Sequence, residues 1–448
     1  MSQQLKQVTE MMLSAAKHAG ADAADAMAVQ DVSVSADVRN GQLEHAERSE
    51  SLDIGLRVFV GKRQAVVSSS DTNPSTLAIM AERAVAMAKE APEDPYAGLA
   101  DPAEIVTNVP DMGLQLADPA PEPLPADLQE NARIAEAAAL ENKGISQVQS
   151  ANASHSRSAV FLAATNGFAG GYARTGSSTS CVAIAGSGTG MERDYDGDMR
   201  IFASDLRPAA EIGARAAQRA VDRLSPRKPA TGSYPVLFDE RISSSLIGHL
   251  LAAANGSAIA RGASWLKESL GEEVLPTSLS VIEDPHRVRT SGSRPFDAEG
   301  LATQRRVVVD NGVLKGWTLD LSTARKLGLQ STANAARGTS SPPSPSTWNI
   351  AMTQGERSRS DLMRDMGTGL LVTSMIGSTI NPNTGDYSRG ASGFWIEEGH
   401  IAYPVNECTI AGNLRDMLKR IVPANDARTH LSRVVPSLLV DGMTLAGS

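Results

Sequence analysis

Residues 32–70, VSVSADVRNGQLEHAERSESLDIGLRVFVGKRQAVVSSS, decide how the first half of the chain is read. Apolar and polar residues alternate there with a period of two, many of them β-branched, which is the pattern of strands with one buried face. Asn40-Gly41 and Gly61-Lys62 interrupt it at places suited to tight turns, because such turns need backbone at positive φ. From Asp25 to Ser70 the chain therefore reads as three or four antiparallel strands. On its N-terminal side, Leu5, Val8, Met11, Met12 and Ala15 recur at helical spacing up to a Gly20 stop. On its C-terminal side Pro74 opens a second helix through Ala91, with Ala78, Ala81, Val85 and Ala88 inward.

Eight prolines lie between Pro92 and Pro125, the mark of a linker or extended arm. Then the pattern starts again. A helix is expected from Ala126 to Asn142, strands through ISQVQSANASHSRSAVFLAATNGFAGGYARTGSSTSCVAIAGSG, and a helix from Pro208 to Leu224. SSSDTNP precedes one closing helix and FASDLRP the other, so a helix–meander–helix unit is used twice. From Thr231 the character changes. YPVLFD reads as a buried strand and SLIGHLLAAAN as a helix. TQRRVVVDNGVLKGWTLD is a hairpin turning at Asn311-Gly312, while LLVTSMIG, GFWIEEGHIAYPV and PSLLVDGMTLAG are further strands. The expected fold is α+β: modules at 1–91 and 126–228 joined by a linker at 92–125, then a β-rich sandwich or partly closed barrel at 229–448.

Composition narrows the function. The 448 residues suggest about three domains, and 41% hydrophobic with 21% charged residues fit a globular protein with substantial cores. A net charge of -9 and a pI near 5.4 argue against a nucleic-acid partner, which needs clustered Lys and Arg. Cys181 and Cys408 stand far apart with no CxxC, which fits a reducing compartment. No leader-like N-terminus and no run of roughly 20 apolar residues is seen, so no membrane is expected and the cytoplasm is.

Chemical motifs are sparse. No two of the seven histidines lie within five residues, so no local two-histidine metal motif exists. His249 lies among Leu246, Ile247, Leu250 and Leu251 and reads as a packed helical residue rather than a ligand. GSGTG (186–190) lacks the Lys-Ser/Thr of a phosphate loop and reads as a hairpin tip. The Ser-rich stretches supply no G-x-S-x-G elbow, and Cys408 in VNECTIAG reads as buried and inert. The densest polar group is NPNTGDYSRG (381–390). Asn381, Asn383, Asp386 and Arg389 there form either a well-made turn or a rim that binds a peptide or partner chain.

Several stretches together resemble the TldD/PmbA family, in its PmbA (TldE) branch. They are YPVLFDERISSSLIGHLLAAANGSAIARGASWLKESLG, FDAEGLATQRRVVVDNGVLKGWTLDLSTARKLGLQSTANAARG, NPNTGDYSRGASGFWIEEGHIAYPVNECTIAGNL and RNGQLEHAERSESLDIGLRVFVGKRQAVVSSSD. The resemblance implies a cytoplasmic protein of peptide maturation and proteolysis, historically labelled a modulator of DNA gyrase. It implies a TldD-type partner whose zinc sits on an HExxxH helix with a distant cysteine, and a PmbA-type subunit that lacks the motif. Counted from YPVLFD, those positions fall on Gly248 to Ala253, with both histidines and the glutamate replaced. Started at His249 instead, the motif meets Leu250 for the glutamate and Ala254 for the second histidine. Neither register supplies two ligands or a base, so the expectation is a chain that binds no zinc and catalyses nothing alone. It would pair with a TldD-type homologue, or with itself when isolated, and handle a peptide substrate. Rival readings are a stand-alone hydrolase built on Cys408 or converging His and Asp residues, and a scaffold that binds gyrase or another protein.

Overall fold

Strand β1 (Ala23–Arg39) comes after helix α1 (Gln3–His18) and is the spine of the first 230 residues. The computed structural model describes residues 3–109 and 111–447, with side chains throughout except at Ser378 and Thr379. Along β1 the even positions Ala24, Ala26, Ala28, Val34, Ala36 and Val38 are buried, because one face of the strand lies under helices. Strands β2 (Gln42–Val60) and β3 (Arg63–Ser69) continue the meander, and helix α2 (Pro74–Glu90) closes it. The turns fall where expected, with Asn40 and Gly41 at φ 54 and 71 and Gly61 at φ 58. The repeat comes next: α3 (Pro125–Leu140), β4 (Ile145–Ala164), β5 (Ala169–Ala185), β6 (Glu192–Arg200) and α4 (Ala209–Asp222).

The two units do not form separate sheets. β1 pairs antiparallel with β4 from Asp25↔Ala164 to Val38↔Ala151, giving one six-stranded sheet in the order β3-β2-β1-β4-β5-β6 among the described residues. The long central strands would otherwise leave unpaired backbone edges, and pairing the two units removes both. Helices α1 and α2 cover one half of a single face around Leu5, Met12, Ile54 and Leu77. Helices α3 and α4 cover the other half around Leu128, Ala135, Ile212 and Ala217. A cross-unit bond supports the pairing: the Glu136 carboxylate of α3 accepts the backbone N–H groups of Asn40 and Gly41 at 2.6 and 2.7 Å.

The described residues of the proline-rich stretch form a packed strap. Ala97, Ala100, Ile105, Leu114 and Leu116 are buried along it, and Arg325 donates to the carbonyls of Tyr96, Gly98 and Leu99. It ties the sheet to the C-terminal region.

That region opens with strand β7 (Gly232–Phe238), helix α5 (Ser244–Ala253) and the short helix α6 (Gly256–Ala260). Strands β8 (Val281–Glu283), β9 (Arg306–Asp310) and β10 (Val313–Leu314) come next, with Asn311 and Gly312 at φ 47 and 82 in the hairpin. Helix α7 (Leu321–Leu327), the two-residue strands β11 (Ala335–Ala336) and β12 (Ser344–Pro345), β13 (Ile350–Met352) and helix α8 (Arg359–Met366) lead to the long strands. These are β14 (Gly369–Ile380), β15 (Asp386–Glu397) and β16 (His400–Asn413), with α9 (Leu414–Lys419), β17 (Val422–Pro423), β18 (Arg433–Val434) and β19 (Leu438–Ala446) after them. The order β16-β15-β14-β7-β19 closes on itself through β16–β19 pairs at Thr409↔Ala446, Ile410↔Leu445 and Ala411↔Thr444. Of the two expected shapes, the partly closed barrel is the one formed. A second sheet, β10-β9-β8-β13-β18, packs beside it.

One clasp between the sheet and this region was not legible in the sequence. Asp25 of β1 takes Arg57 on one oxygen and Arg337, whose side chain is fully buried, on the other. Burial raises the Asp25 carboxyl, and the two guanidiniums, Arg337 before Arg57, outweigh it and hold the carboxyl below its ordinary range.

Candidate functional site

Helix α5 sits against the barrel through Leu246, Ile247, Leu250 and Leu251, all buried. Gly248 is small where Arg433 passes: an added Cβ would stand 3.0 Å from its guanidinium. His249 projects from the next position toward β15, its ring edge-on to Tyr387 at 6.0 Å between centroids. Its Nε2 is buried without a hydrogen-bond partner. Burial first, and the Arg389 guanidinium second, depress the imidazole below its usual value, so the ring is neutral. The Nε of Arg389 is likewise buried and unpartnered. The Tyr387 hydroxyl donates to Met375 Sδ at 3.2 Å, and burial pushes the phenol to about 12 although Arg389 works against it.

These surroundings do not fit zinc. A structural or hydrolytic zinc needs three or four converging N, S or O ligands. Here the neighbouring helix positions are Gly248, Leu250 and Ala253, and the charge facing His249 is a guanidinium, which repels a divalent cation. Among the described residues no three His, Cys, Asp or Glu side chains group so as to hold a metal.

The four candidates of the polar loop separate. Asn381, Asn383 and Asp386 lie exposed at the tip between β14 and β15. Asn381 Oδ1 accepts the backbone N–H of Asn383 at 2.9 Å and of Thr384 at 3.4 Å, a side chain bonding its own turn. The Asp386 carboxylate accepts Thr384 Oγ1 at 2.6 Å and Asn413 Nδ2 at 3.0 Å, and these two bonds hold it below its ordinary range. Arg389 is elsewhere, on β15 opposite Ile410 and beside His249. The structure thus joins Arg389 to the histidine of α5 and leaves the other three together at the tip.

Cys408 is 4% exposed, opposite Ala391 in the β15–β16 ladder, and its Sγ donates to the Ala391 carbonyl at 3.2 Å. Burial pushes its thiol to about 11 and that of Cys181 to about 12, so neither is a thiolate near neutral pH. The expectation that Cys408 is buried agrees with this geometry.

Sequence reading missed the charged seam between the sheet and the barrel. Asp194, Asp196 and Asp198 alternate along β6 and meet arginines from three places. Arg219 of α4 reaches Asp196 at 2.7 Å, Arg207 reaches Asp196 at 2.8 Å, and Arg241, just after β7, reaches Asp194 at 3.0 Å. The D-x-D-x-D spacing was the available signal, since it places three carboxylates on one strand face.

The chain matches the models of all three parts of one family: PmbA/TldA metallopeptidase domain 1 over residues 24–88, the central domain over 118–224 and the C-terminal domain over 231–447. A paired-unit sheet joined to this barrel, matched in every part, places the chain in the PmbA/TldD metallopeptidase family. Within that family it is 37% identical to metalloprotease PmbA of Escherichia coli O157:H7, covering 98% of this chain and 95% of that one. It is 35% identical to the PmbA homologue of Haemophilus influenzae, covering 100% and 97%. Among solved structures, a protein of Bacteroides thetaiotaomicron named a candidate modulator of DNA gyrase superposes with a TM-score of 0.92 at 27% identity over the whole of both chains. TldE of Thermococcus kodakarensis shares the fold, with a TM-score of 0.84 at 20% identity over 98% of this chain and 100% of that one. Among the described residues no helix is long and apolar enough to cross a membrane.

Proposed function

We propose that this chain is the non-catalytic subunit of a metalloprotease pair, shaping the path of an unfolded peptide beside a zinc-bearing, TldD-type homologue in peptide maturation and turnover in the cytoplasm. The observation that carries the reading is α5. The helix after the barrel strand β7 offers one imidazole, neutral and faced by a guanidinium, with no second ligand and no carboxylate base within its turns. A water-activating zinc site requires both. The curated relatives are named metalloproteases. The residues on α5 argue that this chain's part in such an activity is that of a partner. The tip carrying Asn381, Asn383 and Asp386 is, on the same reading, a docking rim for that partner or for an extended peptide.

Elemental analysis of the purified, dialysed chain tests the metal claim. The expected zinc content is far below stoichiometric, and about one tightly held zinc per chain contradicts it. The isolated chain is expected to pair with itself through a two-fold interface when the homologue is absent. Light scattering at micromolar concentration should report a dimer; monomer alone contradicts that expectation.

A further inference from the structure

A cavity of about 500 Å³ opens where α4 faces the outer wall of the barrel, away from His249. That is the size of pockets that hold small ligands or the end of a chain. One side is charged and the other is apolar, formed by Leu371, Phe394 and Ile401, the last 52% exposed.

The charged side has its hydrogen-bond acceptors largely consumed. Asp194 takes Arg241 on one oxygen and Arg223 on the other, at 3.0 and 3.5 Å. Asp239 takes Arg241 at 3.3 Å and Arg359 at 2.5 Å. Glu240 is paired with Arg428 at 2.6 Å, and Asp222 accepts Gln218. Donors remain in excess. Arg359 uses a single terminal nitrogen on Asp239, and Arg219 a single one on Tyr195 O and Asp196. Arg215 makes no ion pair or hydrogen bond among the described residues, although it lines the cavity. A further polar atom points the same way. Thr373 is 6% exposed and lines the cavity, yet its Oγ1 has no hydrogen-bond partner. Leaving a buried hydroxyl unpaired is costly, and a ligand oxygen would satisfy it. Forked guanidinium donors match a carboxylate, which they bind with two parallel bonds.

We propose that this cavity binds the free α-carboxylate of an apolar residue. Arg215 and Arg359 hold the carboxylate, the Thr373 hydroxyl donates to it, and the apolar side chain lies against Leu371 and Phe394. Asp222 lines the same cavity, and its oxygen not bonded to Gln218 among the described residues accepts the N–H of the same residue. Either a peptide C-terminus or a free amino acid carries this chemistry, and only the preference for a peptide end rests on the proposed peptide-handling function.

Isothermal titration of the full chain tests it, using an unstructured pentapeptide ending in leucine as the free acid, the same peptide as the C-terminal amide, and free leucine. The acid should bind and the amide should bind at least about tenfold more weakly, as expected when charge-assisted bonds are lost. Arg215→Ala and Thr373→Val should each weaken the acid by roughly five- to tenfold. Arg215→Ala should leave the urea midpoint unchanged, since no partner in the fold is lost. Free leucine binding as well as the peptide acid supports the site and makes a free amino acid the ligand. Equal binding of acid and amide, an unaffected Arg215→Ala, or no binding of any probe at millimolar concentration overturns the proposal. The titration needs no partner subunit and no cleavage, so its failure would leave the reading of the chain as a partner subunit standing.

Discussion

At the scale of single residues, His249 carries a pH signature. Its folded-state value is depressed by burial and by Arg389, whereas in the unfolded chain it titrates near 6.5. As pH falls through that unfolded value, the unfolded state takes up a proton that the folded state resists, so native stability is lost toward acid. Replacing the ring removes that share of the slope. Urea midpoints measured at pH 7.5 and pH 5.5 should therefore drop less for His249→Leu than for the wild type. His155 and His430 are depressed as well, chiefly by burial, so a residual slope remains in the variant. An equal or larger drop in the variant would contradict the buried, neutral placement. That the histidine sits on a helix among packed apolar neighbours was legible in the sequence. Its proximity to Arg389 was not, because 140 positions separate them and only the closing of the barrel brings them together.

Among the elements, α3 and α4 meet at a point fixed by one glycine. A Cβ on Gly213 would stand 1.9 Å from the Ala135 carbonyl oxygen, and a backbone atom in a packed helix cannot give way as a flexible side chain can. Gly213→Ala gains helix propensity of about 1 kcal/mol and loses more through overpacking of about 1–3 kcal/mol. The expected result is a lower urea midpoint, and a raised one would show that the helices part freely. The elements themselves were largely readable. Asn40-Gly41 and Asn311-Gly312 announce their hairpins because few other residues tolerate positive φ, and the alternation in β1 and β2 announces a half-buried sheet. What period-two alternation cannot name is the neighbour of a strand. Nothing in ADAMAVQDVSVSADV states that its free edge is filled by β4, more than a hundred residues away, so the two units read as separate when they share one sheet. The same limit hid the arginines that meet the alternating aspartates of β6.

At the scale of the whole molecule, the paired-unit sheet and the barrel are held in contact by the Asp25–Arg337 clasp, by the strap and by the charged seam. That arrangement surrounds a helix around which, among the described residues, no metal-holding group gathers, and the central claim is that catalysis comes from elsewhere. The measurement that tests it is cleavage of an unfolded peptide by this chain alone, by a homologue carrying HExxxH alone, and by the two mixed. The account predicts no cleavage by this chain, cleavage in the mixture, and a mixture nearly insensitive to His249→Ala but weakened by Asp386→Ala, which loosens the tip that Thr384 and Asn413 hold. Robust cleavage by this chain alone, abolished by His249→Ala or Cys408→Ala, would contradict it.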